Sequence, residues 1–229
     1  MEDDTRKPRR GRIRTILSTT TGPRIFGSIY HKIIFFPSAA WYLRKELKDC
    51  DSVLDLGCGS NSVLRYATHR FWSIGVDAWK DSLVESKGNR IHDDYIMADL
   101  TKLELRDKSV DAVILLEVLE HLTKEEGKEL VAKMSGVARK KIVITTPNGF
   151  IPQDGETNPY QLHKAGWEIQ ELEELGFTRF RGVGGLESFG RKFESQFLFM
   201  VVQSMPQKVA YLAPRKANGL ICTKSIEKE

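Results

Sequence analysis

Cysteine is scarce in this chain: Cys50, Cys58 and Cys222 are its three, too scattered for a disulfide framework or a zinc-ligand pattern. A reduced, intracellular, cytoplasmic protein is the expectation. Long apolar runs are missing as well. Residues 25–43 are apolar, but His31, Lys32 and Pro37 interrupt them and Arg44 flanks them, so neither a transmembrane span nor a signal peptide is expected. The body of the chain also lacks an excess of either charge. Of a formal net +4, the first fifteen residues hold +3, with Arg6, Lys7, Arg9, Arg10, Arg12 and Arg14 set against Glu2, Asp3 and Asp4. A nearly neutral remainder argues against a broad RNA-binding face. Residues 1–15 have no aromatic residues among their charges, so a disordered, solvated basic tail is expected in preference to a nucleic-acid or anionic-membrane arm. At 229 residues there is room for one sizeable α/β domain and a small addition.

What is present is concentrated in SVLDLGCGSN, residues 52–61. Val53, Leu54 and Leu56 read as a buried parallel strand. Gly57 and Gly59 then let the backbone turn sharply and approach a ligand where a Cβ would collide. A second apolar strand, FWSIGVD (71–77), ends in Asp77, the position from which an acid would hold a ribose diol. Strand, turn and spaced acid together describe a nucleoside-binding domain. A dinucleotide site would want a third glycine and a helix N-terminus for its pyrophosphate, but Ser60-Asn61-Ser62 stands there. Asp55, beside the turn, would repel a pyrophosphate and suits an ammonium group. The chemistry of the loop therefore favours S-adenosylmethionine over NAD.

Several motifs in order resemble the class I S-adenosylmethionine-dependent methyltransferases. LDLGCGS (54–60) looks like their first motif and GVDAW (75–79) their second; MADL (97–100), VDAVILLEVLEHL (110–122) and KIVITTPNG (141–149) fall where the later ones sit. HKAGW (163–167), LEELGF (172–177) and ANGLICTKS (217–225) extend the similarity. The resemblance implies a Rossmann-like, seven-stranded, mostly parallel sheet, its last strand antiparallel, with helices on both faces. It implies methyl transfer by in-line displacement to a small-molecule oxygen, carbon or nitrogen. Asp55, Gly57, Cys58 and Gly59 would then cradle the amino-acid end of the cofactor, Cys58 simply as a small residue that fits. Asp77 would hold the ribose, Ala78 and Trp79 would flank the adenine, and Asp99 and Leu100 would bond and pack on it. Leu116 and Glu117 would lie under the methionine portion, and Pro147, Asn148 and Trp167 would shape the acceptor pocket. Asn61 stands in place of a frequent third glycine, and its tolerance of left-handed angles would preserve the turn.

Strands are expected near 52–56, 72–77, 94–98, 111–116 and 141–146, then at TRFRGVG (178–184) and ANGLICTKS. Helices are expected near 61–69, 79–87 and 123–138 and within 166–177, where Gly176 terminates the last. Residues 16–48 read as an N-terminal helical cap broken near Pro37, the domain proper as 49–229, and 186–214 as a mostly helical apolar insertion. The apolar segments 25–43 and 189–213 are candidate lids.

EVLEH (117–121) follows the fourth strand, where ligands bind in open α/β sheets. One helical turn would put Glu117, Glu120 and His121 on a common face, and His163 could approach from the loop after the fifth strand. His121 or His163 is the candidate general base, with Glu117 beside them. Two carboxylates and two imidazoles could also hold Mg²⁺, Mn²⁺ or Zn²⁺. The E-x-x-E-H segment resembles that of two metal-using groups, the ubiquinone-pathway O-methyltransferases and the small-RNA 2′-O-methyltransferases, and in the RNA enzymes a later His completes the metal site; metal-free relatives carry the segment too. A metal-assisted RNA enzyme and a non-catalytic cofactor-binding module are the alternatives.

Overall fold

The computed structural model describes residues 38–66, 71–155, 158–186 and 209–227. Seven strands join in one sheet in the order β3-β2-β1-β4-β5-β7-β6. They are β1 (Ser52–Leu56), β2 (Trp72–Asp77), β3 (Asp94–Met97), β4 (Val110–Leu116), β5 (Ala138–Pro147), β6 (Thr178–Leu186) and β7 (Ala217–Ser225). β1 to β5 pair in parallel, whereas β7 runs antiparallel to both β5 and β6. The expected sheet, with its last strand reversed, is the one observed. β1 has β2 on one side and β4 on the other, so strand order reverses there and a crevice opens beyond their carboxyl ends.

Side chains alternate across this sheet and sort into two cores. Leu54, Leu56, Val113, Leu115, Ile142 and Ile144 pack on one face against Leu130, Val131 and Met134 of helix α3 (Lys124–Val137) and Leu172 of α4 (Ile169–Glu174). Val53, Ala112, Ile114, Val143 and Ile221 pack on the other against Tyr42 and Leu43 of α1 (Ala39–Glu46). The Val, Leu, Ile and Met side chains among these, fully buried, contribute roughly 1.5–3 kcal/mol each, which is why the strands read as continuous apolar runs. Helix α2 (Lys80–Gly88) follows β2.

Local chemistry sets the helix ends. Ser38 follows Pro37, and its Oγ accepts the Trp41 N–H to start α1. Thr123 and Glu126 reciprocally cap α3, at 2.8 and 3.2 Å. Gly176, at φ +87°, ends α4 as expected. The helix expected over 61–69 is, in its described part, a 3₁₀ turn, Val63–Tyr66. Ser62 Oγ accepts the Leu64 N–H while bonding Asp55, and this tight closure replaces the first α-helical turn. Asn61 is not left-handed; its Oδ1 instead accepts from Arg65.

The basic tail at 1–15, the cap up to residue 37 and the insertion over 187–208 lie outside the described residues. Residues 209–212 form a helical turn. Among the described residues no helix is long and apolar enough to cross a membrane.

Candidate active site

The glycine turn is shaped by what it cannot hold. Gly57 has φ +72°, and a Cβ there would lie 2.4 Å from Val118 Cγ2. Gly59 has φ +58° and would direct a Cβ into open space with no atom within 4 Å. One glycine is required by the protein's own packing and the other leaves a bare peptide facing the cleft. Asp77 ties the turn to β2: its Oδ2 accepts the Gly59 N–H and its Oδ1 the Trp79 N–H, both at 2.8 Å. Each oxygen keeps a lone pair for a further donor. Asp99 is held by the backbone and hydroxyl of Thr101, at 3.0 and 2.8 Å. The Thr101 hydroxyl bond, the largest influence, lowers its pKa.

One cavity of about 390 Å³ joins these groups to the segment after β4. Gly57, Gly59, Asp77, Ala78, Asp99 and Leu100 line it, and Glu117 and His121 line it as well. The volume falls within the range of small-molecule sites, roughly 300–1,000 Å³.

Four expected contacts are not made. Asp55 is 1% exposed and lies behind the turn, bonded by the Ser62 hydroxyl and close to His92, so it does not reach the cleft. Cys58 is buried against Gly75, and burial pushes its thiol pKa up, which leaves it a packing residue. Leu116 packs on the α1 face of the sheet, because it shares strand parity with Ala112 and Ile114. Trp79 does not line the cavity; its N–H on Asp77 is its part in the site.

The EVLEH segment does not form an α-helical turn. Glu117 takes a left-handed conformation, φ +57°, and its N–H meets both the carbonyl and the hydroxyl oxygen of Thr145 at 3.0 Å. Leu119–His121 then form a 3₁₀ turn. Left-handed angles are costly for a residue with a Cβ, and such strain concentrates at functional sites. Glu117 is open to the cleft, yet the cleft is recessed, and this desolvation raises its carboxyl pKa against the opposing Thr145 contact. Glu120 points inward, 2% exposed, with Thr146 Oγ1 donating to its Oε2 at 3.2 Å. Burial first, and Glu117 second, raise its pKa.

His121 and His163 meet edge to face with ring centroids 4.9 Å apart. His121 Nδ1 faces the Leu162 carbonyl at 3.3 Å, and His163 Nδ1 the Ile151 carbonyl at 2.5 Å. A carbonyl only accepts, so each Nδ1 carries the proton and each Nε2 keeps a free lone pair. Burial lowers the His121 pKa. Ligand atoms of Glu120, His121 and His163 all lie within 4.8 Å of one another. Glu117 is not part of that group, a correction to the expected four-ligand set. The 163–165 loop is held there by Lys164 and Ala165 N–H groups on the Glu120 carbonyl, at 2.7 and 3.1 Å.

The expected acceptor pocket is also revised. Trp167 is wholly buried, and its Nε1–H donates to the Leu119 carbonyl at 3.1 Å. Asn148 turns away to the chain entering β7, with Nδ2 on the Ala217 carbonyl at 3.0 Å. Pro147 ends β5 in register with Gly219 and is not among the cavity residues. The residues that do line this end, unanticipated from the sequence, include Val118, Glu126, Tyr160 and Lys164. Asn158-Pro159-Tyr160 carried the available signal, since an Asx turn with Pro next to it presents the following ring: Asn158 Oδ1 accepts the Tyr160 N–H at 3.0 Å.

A family model described as a methyltransferase domain matches residues 54–144, from the glycine turn into β5. The (S)-tetrahydroprotoberberine N-methyltransferase of Eschscholzia californica is 29% identical over 87 residues, 34% of this chain and 25% of that protein. The match thus spans a quarter of that relative's length. Among solved structures, a SAM-dependent methyltransferase from Archaeoglobus fulgidus aligns with 88% of this chain and 99% of its own at 21% identity and a TM-score of 0.53. The small RNA methyltransferase HEN1 aligns with 83% of this chain and 25% of its own, at 21% identity and a TM-score of 0.56. At these identities the structural likeness speaks to fold: a Rossmann-like methyltransferase fold with its cleft at the strand-order reversal. The matched stretch contains the glycine turn, Asp77, Asp99 and Glu117, and over it the chain is similar to methyltransferase domains.

Proposed function

We propose that this cleft binds S-adenosylmethionine and that the protein transfers its methyl group to a small-molecule oxygen, carbon or nitrogen. One observation carries the reading: a single cavity has the glycine turn, Asp77 and Asp99 at one end and Glu117 and His121 at the other. The residues fit the cofactor, for Gly59 leaves the space a ligand needs and the Asp77 oxygens each retain a lone pair for a ribose diol. Asp99 is placed to accept from an adenine amino group, and Leu100 to pack on the ring. The bound sulfonium would supply an activated methyl group with a good leaving group, so alignment is the main demand on the protein. His121 is the base that the geometry favours. Its Nδ1–H is committed to Leu162, its Nε2 is free, and burial keeps it neutral and able to accept the acceptor's proton.

The test is calorimetry with S-adenosylhomocysteine, S-adenosylmethionine and NAD, followed by methyl-transfer assays across hydroxyl, amine and activated-carbon acceptors. Binding of the sulfonium pair and turnover of one acceptor class are expected. Tighter binding of NAD would overturn the reading, and cofactor affinity without any turnover would make this a binding module.

A second reading rests on the Glu120, His121 and His163 cluster. With both Nδ1 atoms committed to carbonyls, the free Nε2 atoms and a Glu120 oxygen could hold a divalent cation. A cation there would lower the pKa of an acceptor hydroxyl, as a 2′-hydroxyl at an RNA end would require. The fold likeness to HEN1 is consistent with this but supplies no residue roles. Activity lost in EDTA, restored by Mn²⁺ or Mg²⁺ and confined to RNA with a terminal 2′-hydroxyl, would favour it over the small-molecule reading.

A further inference from the structure

Behind the glycine turn lies an acid–base pair that the cleft does not touch. The Asp55 and His92 side chains are 1% and 0% exposed, with Nε2 3.5 Å from Oδ2. Asp55 Oδ2 also receives the Ser62 hydroxyl, whose oxygen accepts the Leu64 N–H. A line of contacts thus runs from His92 through Asp55 to the backbone leaving the turn. Gly75 makes room for it: a Cβ there would lie 2.6 Å from His92 Cδ2. At the other ring edge, Ser73 Oγ is 3.3 Å from Nδ1. Tyr95 meets the imidazole edge-on at 5.5 Å, and its hydroxyl accepts the His92 backbone N–H. Among the described residues, Asp55 Oδ1 and His92 Nε2 are the buried side-chain atoms left without a hydrogen-bond partner. Stranding an imidazole nitrogen is costly, and a proton on Nε2 directed at Oδ2 gives that nitrogen a partner, while Oδ1 keeps none among the described residues.

We propose that His92 is a positioning residue for the cofactor: its neutral imidazole donates Nε2–H to Asp55 and holds that carboxylate, ionised, at the back of the glycine turn. The Ser73 hydroxyl then donates to Nδ1 and fixes the tautomer. The fixed charge favours a cation in front of the turn over a neutral ligand of the same shape. S-adenosylmethionine carries a sulfonium that its demethylated product lacks, so the pair discriminates substrate from product. This inference rests on reading the cleft as the cofactor site. Among the described residues, the other ionisable groups facing the pair are Asp77 on β2, Asp93 before β3, Tyr95 on β3 and Cys58 on the turn. Asp77 raises the Asp55 pKa and Asp93 raises that of His92, while burial keeps the Cys58 thiol neutral. Burial first, with Asp77, pushes the Asp55 carboxyl up to about 7 against the Ser62 hydrogen bond, so the carboxylate is ionised above that pH.

The experiment measures affinities for S-adenosylmethionine and S-adenosylhomocysteine by calorimetry on the full chain, with His92→Phe and His92→Gln. His92→Phe should weaken S-adenosylmethionine about tenfold and the homocysteine product less than about threefold; the Gln amide, still a donor, should restore most of the difference. Equal losses for both ligands, or none, overturn the proposal. A ¹⁵N spectrum of the wild-type imidazole keeps it falsifiable should the Phe variant not fold. A neutral Nε2–H tautomer near pH 7.5 is expected, and an Nδ1–H tautomer overturns it. A wild-type chain that binds neither compound refutes the cofactor reading and this inference with it, whereas an unchanged affinity ratio refutes this inference alone.

Discussion

Gly57 and Val118 are packed so closely that the smallest side chain on Gly57 would lie 2.4 Å from Val118 Cγ2. Gly57→Ala should therefore displace the turn, abolish calorimetric binding of S-adenosylhomocysteine and lower stability in urea. Adding Val118→Ala removes the clash but not the left-handed angle, φ +72°, which costs an alanine roughly 1–2 kcal/mol. The double variant should recover part of the lost stability, so that the two changes are non-additive. Full additivity would show that the contact does not shape the turn.

Gly127 lies inside α3, where alanine would ordinarily stabilise a helix by about 1 kcal/mol. Here a Cβ would sit 2.5 Å from Cζ2 of the buried Trp167 ring. Overpacking of this kind typically costs about 1–3 kcal/mol, so the clash should win. Gly127→Ala should lower the urea midpoint. Because Trp167 Nε1 holds the Leu119 carbonyl, it should also perturb the His121 turn, visible as a reduced turnover at saturating cofactor. A raised midpoint would refute the packing argument.

The sheet was legible because its strands are buried runs bounded by turn residues, and ANGLICTKS coincides with β7 end to end. As lining of the cavity, Gly57, Gly59 and Asp77 were legible by spacing and Asp99 through the family resemblance, since all sit at carboxyl ends of neighbouring strands. What spacing alone did not convey was direction. Asp55 lies between Leu54 and Leu56, which commits it to the opposite face, and the same parity carries Leu116 away from the cleft. That signal was in the sequence. The left-handed Glu117 was not, because Thr145, from another strand, fixes it. Nor was His92, whose burial depends on the missing side chain of Gly75. Trp167 read as a pocket residue because nothing local distinguishes a lining indole from one pinned under a 3₁₀ turn.

Asp77 has two duties that substitution separates. Asp77→Ala should abolish binding of S-adenosylhomocysteine, since among the described residues no other carboxylate at this end of the cleft bonds the turn. It also strands the Gly59 and Trp79 N–H groups, which costs about 1–3 kcal/mol if neither finds water. Asp77→Asn keeps one acceptor oxygen and should be more stable than the alanine variant while still binding weakly. Unchanged affinity in either variant would remove the ribose assignment.

The Asp55 and His92 pair predicts opposite pH responses in its two single variants. Burial raises Asp55 from 3.8 to about 7 and lowers His92 from 6.5 to about 4. Between these limits the native pair and the unfolded chain bind the same number of protons: Asp55 protonated and His92 neutral in one, the reverse in the other. The pair's contribution to wild-type stability should therefore be flat between pH 4.5 and 6 to a first approximation, roughly within the error of urea extrapolation. Asp55→Asn leaves only His92, whose stabilising contribution is complete above its unfolded value and is lost as pH falls through about 4, so stability relative to wild type should rise with pH. His92→Phe leaves only Asp55, whose contribution is complete below 3.8 and is lost as pH rises through about 7, so relative stability should fall. Each slope is at most about 1.4 kcal/mol per pH unit. Urea unfolding of the three proteins across that range measures both, and parallel pH profiles for the two variants would show that the groups do not titrate as a buried pair.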